Sequence, residues 1–310
     1  MILILLNINI FSKEIKPIFT LTSQGAVRDF VIDGDRLYAG NNRGTVDIFD
    51  LSSRKMIDQI RIEPYLSIRG EYILPIILSV DRYNGKTLIV SVARNGFRNV
   101  WVHNGKYLKN IVTPEDEIVV TEARFVDDDK IMFGTLGYEM ILYDTGDNYQ
   151  AYSKHVEQSS FSDVAFSQDK TTMATASESG EVTLMDVGTS DVLQVFKSEN
   201  VDKIYRIAYR NGTVITGGQD RRVGVYQKNA KAYHIKSDFL VYCVGLSPSA
   251  KIGVYSSGMK NDLQLFDVSS GRKTDRLVGH FATLNSIQFV NENILVSAGD
   301  EPTIFIWRID

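Results

Sequence analysis

Cys243 and four histidines are the side chains of this 310-residue sequence best suited to nucleophilic or metal chemistry. The histidines, His103, His155, His234 and His280, lie far apart, none at the i, i+2 or i+4 spacing that brings two imidazoles onto one zinc ion. Cys243 has no second cysteine to pair with and sits in the apolar run from Val241 to Leu246, which predicts a buried, inert thiol. Asp127-Asp128-Asp129 superficially resembles the start of a calcium loop, yet no glutamate follows where a bidentate ligand is needed. It reads as a turn, and Glu115-Asp116-Glu117 reads as a solvated loop. Nucleophile-elbow, Walker and dinucleotide-binding motifs are absent. The expectation is a protein that is not an enzyme, with no metal and no cofactor.

The composition narrows the remaining classes. Hydrophobic residues make up 44% and charged residues 23%, which suits a globular chain with a full core. Fifteen tyrosines and fifteen phenylalanines favour strands over helices. A net charge of −4 gives no general pull toward nucleic acid. Residues 1–11 are an apolar stretch too short to span a bilayer. Followed by Ser12, they have the length of a signal-peptide core but lack a positively charged start. Residues 1–12 are therefore expected to be either an export signal or a sticky extra strand, and no stable membrane insertion is expected.

The elements that would position any site come from a repeat. Two or three apolar residues followed by an aromatic and a polar one recur, as in Val46-Asp47-Ile48-Phe49-Asp50, Ile141-Leu142-Tyr143-Asp144 and Leu263-Gln264-Leu265-Phe266-Asp267. The closing polar position falls at 50, 103, 144, 186, 227, 267 and 308, so the period is 40–42 residues except for one gap of 53. Before each motif strand comes an alternating strand and then a run ending in small residues, such as Val214-Ile215-Thr216-Gly217-Gly218. Those small residues are expected to let inner strands crowd a central channel. Four short strands per period is the blade of a β-propeller. The fold class expected is all-β, a seven-bladed propeller over residues 13–310. The last period runs out soon after Trp307, while the orphan strand Ile18-Phe19-Thr20-Leu21-Thr22 precedes the first. Pairing the two would close the ring and leave no bare edge there.

Residues 14–310 resemble the WD40-repeat family, whose blades carry a Gly-His pair, a turn Asp and a Trp-Asp in one hydrogen-bonded set. Here Gly279-His280, Ser297 and Trp307 approach that set, with Glu301 at the turn and Arg308 after the tryptophan; Asp220 holds the turn position of the fifth blade. The resemblance implies structural roles for His280, Ser297, Trp307 and Asp220. Phe161-Ser162-Asp163, Ala176-Ser177-Glu178-Ser179-Gly180, Val244-Gly245-Leu246-Ser247-Pro248 and the run from Gly218 to Tyr226 also resemble the NapL-type accessory proteins of periplasmic nitrate reductase. That likeness implies a periplasmic protein that supports the nitrate-reduction system by binding reductase subunits or maturation factors. The alternatives are a cytoplasmic scaffold of another pathway, or a receptor or enzyme using the central channel. The last would need inward carboxylates or histidines at the channel mouth, and none is expected.

In such a fold the loops between strands two and three share a rim with those joining consecutive blades. That rim carries Arg43, Arg94, Arg98, Tyr138, Arg221, Arg222, Met259 and Lys260. It also carries the insertion at about 61–75, with Tyr65, Arg69, Tyr72 and Leu74. Arg and Tyr are enriched at interface hot spots, and loops on a rigid scaffold are where binding concentrates. Arg43, Tyr65, Tyr72, Arg94, Arg98, Tyr138, Arg221, Arg222 and Lys260 are the expected partner-binding residues.

Overall fold

A computed structural model describes residues 12–228 and 230–309 of the chain. Of the stretch 1–12 expected to be an export signal, only Ser12 falls among them. Seven four-stranded antiparallel blades follow one another around a central channel. Blade 1 begins at Val27, blade 2 at Ile77, blade 3 at Val120, blade 4 at Phe161 and blade 5 at Ile204. Blade 6 begins at Val244 and blade 7 at Leu284. Each blade's first strand is innermost, and first strands of neighbouring blades touch. The helical turns among the described residues are two single 3-10 turns, Arg94–Gly96 and Pro114–Asp116. The architecture is a WD40-type seven-bladed β-propeller.

Closure works as the sequence predicts. Phe19–Thr22 is the outer strand of blade 7, antiparallel to Glu301–Arg308 with Phe19 opposite Ile306 and Leu21 opposite Ile304. A second N-terminal segment was not foreseen. Glu14–Ile15 adds a fifth strand to blade 6, parallel to its outer strand Lys273–Leu277. The Arg276 amide donates to the Lys13 carbonyl at 2.9 Å, and that of Val278 to the Ile15 carbonyl at 3.0 Å.

The core is divided among the seams between blades. Ile215, Val223, Val241, Val244 and Tyr255 fill the seam of blades 5 and 6, and Leu21, Phe30, Phe49, Val296 and Ile304 that of blades 7 and 1. This explains the small residues, and corrects the expected reason for them. They lie on second strands, away from the channel. A Cβ on Gly40 would come within 2.5 Å of Ile77 in the next blade, and one on Gly217 within 2.6 Å of Val241, in the segment that leads into the next blade. One on Gly134 would strike the Phe161 ring. Glycine is needed there because the following blade presses its first strand against that spot.

A bulge recurs near the second residue of the first strand, between Val27 and Asp29, Val120 and Glu122, Phe161 and Asp163, Ile204 and Arg206, and Leu284 and Ser286. An extra residue bends the strand and re-aims the side chains beside it. Here it directs the third residue of the strand toward the channel wall.

Candidate functional site

Two places could hold a site: the channel and the loop rim. The channel contains a cavity of about 620 Å³ whose walls include Asp29, Asp81, Arg124, Asp163, Lys170 and Arg206. The inward carboxylates that the sequence reading did not expect are therefore present, with Glu122 beside them. They were readable in principle. Asp29, Ser79, Glu122, Asp163, Arg206 and Cys243 occupy equivalent places in successive blades, each two residues after an apolar one. The bulge beside Asp29, Ser79, Glu122, Asp163 and Arg206 carries no residue signature of its own.

Every one of these carboxylates is already engaged. Asp29 accepts the Val80 amide at 3.0 Å, Asp81 that of Phe125 at 2.7 Å, Glu122 that of Val164 at 3.3 Å and Asp163 that of Ile207 at 2.8 Å. In each case the carboxylate of one blade holds the first strand of the next. Arg124 pairs with Glu122 and, at 3.4 Å, with Asp29. Arg206 lies 3.5 Å from Asp163 and donates to the Asn285 carbonyl at 3.0 Å. Burial drives the Glu122 carboxyl well above the usual range, with Asp163 adding to the rise against the opposing pull of Arg124. Burial also works against the charge on Arg124, but Glu122 and Asp29 outweigh it and hold the guanidinium protonated. Burial pushes the Cys243 thiol up to about 12, which removes it as a nucleophile at neutral pH. No cluster of three or more His, Cys, Asp or Glu among the described residues is arranged to hold a metal ion. The network stitches blades together, and its groups are committed to that.

The blade 7 set is assembled around Ser297. The His280 ring bridges Glu301 and Ser297, at 2.7 Å from Nδ1 and 2.7 Å from Nε2, and Trp307 Nε1 donates to the same Ser297 hydroxyl at 2.7 Å. Blade 5 builds the same corner from other residues. Asp220 accepts from Asn200 at 3.0 Å and from the Val201 and Arg222 amides, and the Thr216 hydroxyl donates to Asn200. Asn200 replaces the histidine, Thr216 the serine. Blade 1 uses buried Asp47, which receives bonds from Ser23, Asn41, Thr45 and Gln59. Sequence reading missed this cluster because its aspartate lies within the motif strand instead of the turn.

The rim keeps some predicted binding residues at the surface and removes others. Arg43, Arg221 and Lys260 are exposed. Arg94 is exposed but paired with Glu115. Arg98 folds back, with Nη1 on the carbonyls of Gly96 and Phe97 and its Nε buried. Arg222 is half-buried and reaches the carbonyls of Ser198 and Glu199 at 3.3 and 3.2 Å. Tyr138 is a correction to the expected site. It is buried at a left-handed turn position, packs on Phe161 and donates its hydroxyl to Thr175 at 2.8 Å, so it offers no surface.

The insertion folds into a miniature hairpin, Tyr65–Leu66 against Tyr72–Ile73. Tyr65 is half-buried, while Tyr72 is 80% and Ile68 90% exposed, with Leu66 and Leu74 also open to solvent. Phe281, 87% exposed in the loop joining blades 6 and 7, and Leu136, Val201 and Met259 add further apolar points to the same rim. Leu66, Ile68, Leu136, Val201 and Phe281 are not among the residues expected to bind. Their isolation in polar loops was the available signal.

No protein-family model matches the chain. Among curated proteins, it is 25% identical over 235 residues to eukaryotic translation initiation factor 3 subunit I of Candida glabrata, covering 75% of this chain and 60% of that one. It is 22% identical over 230 residues to the subunit I of Brugia malayi, covering 73% and 61%. The chain thus spans about three fifths of the length of these relatives. A shorter match, 33% over 72 residues, is to a CCR4-associated factor 4 homolog of Candida glabrata, covering 22% of this chain and 12% of that one. Among solved structures, the β-propeller domain of Myceliophteria thermophila Cps50 (Swd1) superposes with a TM-score of 0.76 at 14% identity, over 95% of this chain and 99% of that one.

Proposed function

We propose that the chain is a non-catalytic scaffold that docks a protein partner on its loop rim. The observation that carries this reading is the hairpin of the insertion, Tyr65–Leu66 against Tyr72–Ile73. It places Ile68, Tyr72 and Leu74 in solvent on a rigid ring, whereas the channel's carboxylates are held by backbone amides of the next blade and by Arg124 and Arg206. Exposed apolar side chains gathered on one rim are the kind of surface that interactions cover. The relatives named as a subunit of an initiation factor are consistent with work inside a larger assembly. They favour the cytoplasmic scaffold over the periplasmic accessory role, and the nitrate-reductase association rests on the sequence segments alone.

The test is affinity capture from the native source with wild type and rim variants, followed by a binding isotherm with the captured partner. Ile68→Ser with Tyr72→Ser should leave the fold intact and weaken association by about 2 kcal/mol or more, in the range of truncated hot-spot side chains. Arg221→Glu should weaken it by about 1–2 kcal/mol. Lys228→Glu with Lys231→Glu, on the opposite rim, should change little. Equal effects from both rims would sink this reading.

A further inference from the structure

The outer strands of the propeller are guarded unequally against further pairing. Those of blades 1, 2, 3, 5 and 6 each contain an exposed lysine: Lys55, Lys109, Lys154, Lys236 and Lys273. Blade 7's exposes Thr20 and Thr22. Lysines on edges are a common device against unwanted strand pairing. The outer strand of blade 4, Val192-Leu193-Gln194-Val195-Phe196, has no charge and no proline. It shows 48% of Val192, 56% of Leu193 and 40% of Val195 to solvent. It pairs with Val182–Asp186 on one side and is the last strand of its sheet. Among the described residues, no strand pairs with the opposite edge.

This edge is complementary to itself. When two copies of the strand run antiparallel with Gln194 facing Gln194, Leu193 faces Val195 and Val192 faces Phe196. The flanking residues then bring Asp191 opposite Lys197 of the second copy, twice per pair. Asp191 is exposed, and the Lys197 side chain is largely in solvent, held by Glu181 of its own blade. Opposite charges facing each other across strands favour pairing, and a self-complementary patch is what a two-fold dimer requires. The outer edge of blade 6 already accepts an additional strand, from Glu14–Ile15 of the same chain.

We propose that blade 4 is a homodimerisation edge, in which two copies of this chain join their Val192–Phe196 strands antiparallel about a two-fold axis at Gln194. The contact lies on the flank of the ring, so it is independent of partner docking on the rim.

The experiment is sedimentation velocity of the full chain over a concentration series reaching on the order of 100 μM. A concentration-dependent dimer is expected. Leu193→Lys, at a side chain that is more than half exposed, should keep the thermal midpoint and raise the dissociation constant at least roughly tenfold. Asp191→Lys or Lys197→Asp alone should each weaken the dimer roughly tenfold by setting like charges opposite one another, and the two together should restore it. A chain that stays monomeric throughout overturns the proposal. So does a dimer indifferent to Leu193→Lys, or one that the double exchange fails to rescue, because either would place the contact elsewhere.

Discussion

At the scale of single residues, His280 shows how a worn signature still builds its structure. A neutral ring suits this buried position, with Nδ1 donating to Glu301 and Nε2 accepting from the Ser297 hydroxyl. Burial holds its pKa below the ordinary 6.5, against the opposing influence of Glu301. As pH falls through 6.5 the unfolded chain therefore gains a proton at His280 that the folded chain refuses, and the folded state loses stability. His280→Gln should cost about 1–3 kcal/mol at pH 8, for loss of a buried bridge. The gap in thermal midpoint between wild type and variant should then narrow as the pH is lowered toward 5.5, because only wild type carries the histidine's acid penalty. A gap that widens would mean the imidazole is charged in the folded protein. Cys243 permits a simpler check. With its thiol buried and pushed up to about 12, it should resist a thiol reagent in the native protein and react at once in denaturant.

At the scale of strands and loops, the pattern was readable but its purpose was not. The motif strands and the small residues before them stand out from their period, so blade boundaries follow from the sequence alone. What presses on a glycine does not, since the neighbour belongs to the next repeat. Gly217 illustrates the consequence. A methyl group there meets Val241 Cγ1 at 2.6 Å and the Val241 carbonyl oxygen at 2.8 Å, and backbone cannot rotate aside. Gly217→Ala should destabilise the protein by about 1–3 kcal/mol, as overpacking does. Gly212→Ala, in an open turn with nothing near its Cβ but a φ of +70°, tests the other cost of losing glycine, that of backbone conformation. The rim shows the same limit. Arg43 and Arg221 are exposed as their loops suggest, whereas Tyr138 turns inward onto Phe161 and Thr175, and Arg98 folds back onto the carbonyls of Gly96 and Phe97. Loop position was legible in the residues; side-chain direction was not.

At the scale of the whole molecule, stability depends on the ring being shut, and the shutting strand comes from the far end of the chain. Phe19–Thr22 supplies four residues of ladder to blade 7, buries Leu21 in the seam with blade 1, and is extended by bonds from Ile18 to Ile306 and from Ser23 to Pro302. Without it, the last strand of blade 7 would show an open edge along Thr303–Ile306. Glu14–Ile15 is a separate contribution, since it clamps blade 6 through Arg276 and Val278 and leaves the closure of blade 7 untouched. Three truncations therefore separate the two roles. Removing residues 1–12 should leave the thermal midpoint unchanged, because both strands remain. Removing 1–17 takes away the blade 6 strand alone and should lower the midpoint modestly while the protein stays monodisperse in light scattering. Removing 1–23 opens the ring. The lost burial of Leu21 alone is worth about 1.5–3 kcal/mol, so the midpoint should fall by more than about 5 °C, and the bared edge should cause aggregation. Equal midpoints for the first and third truncations would show that the ring holds through its blade seams without this strand, and the closing role assigned to Phe19–Thr22 would have to be abandoned.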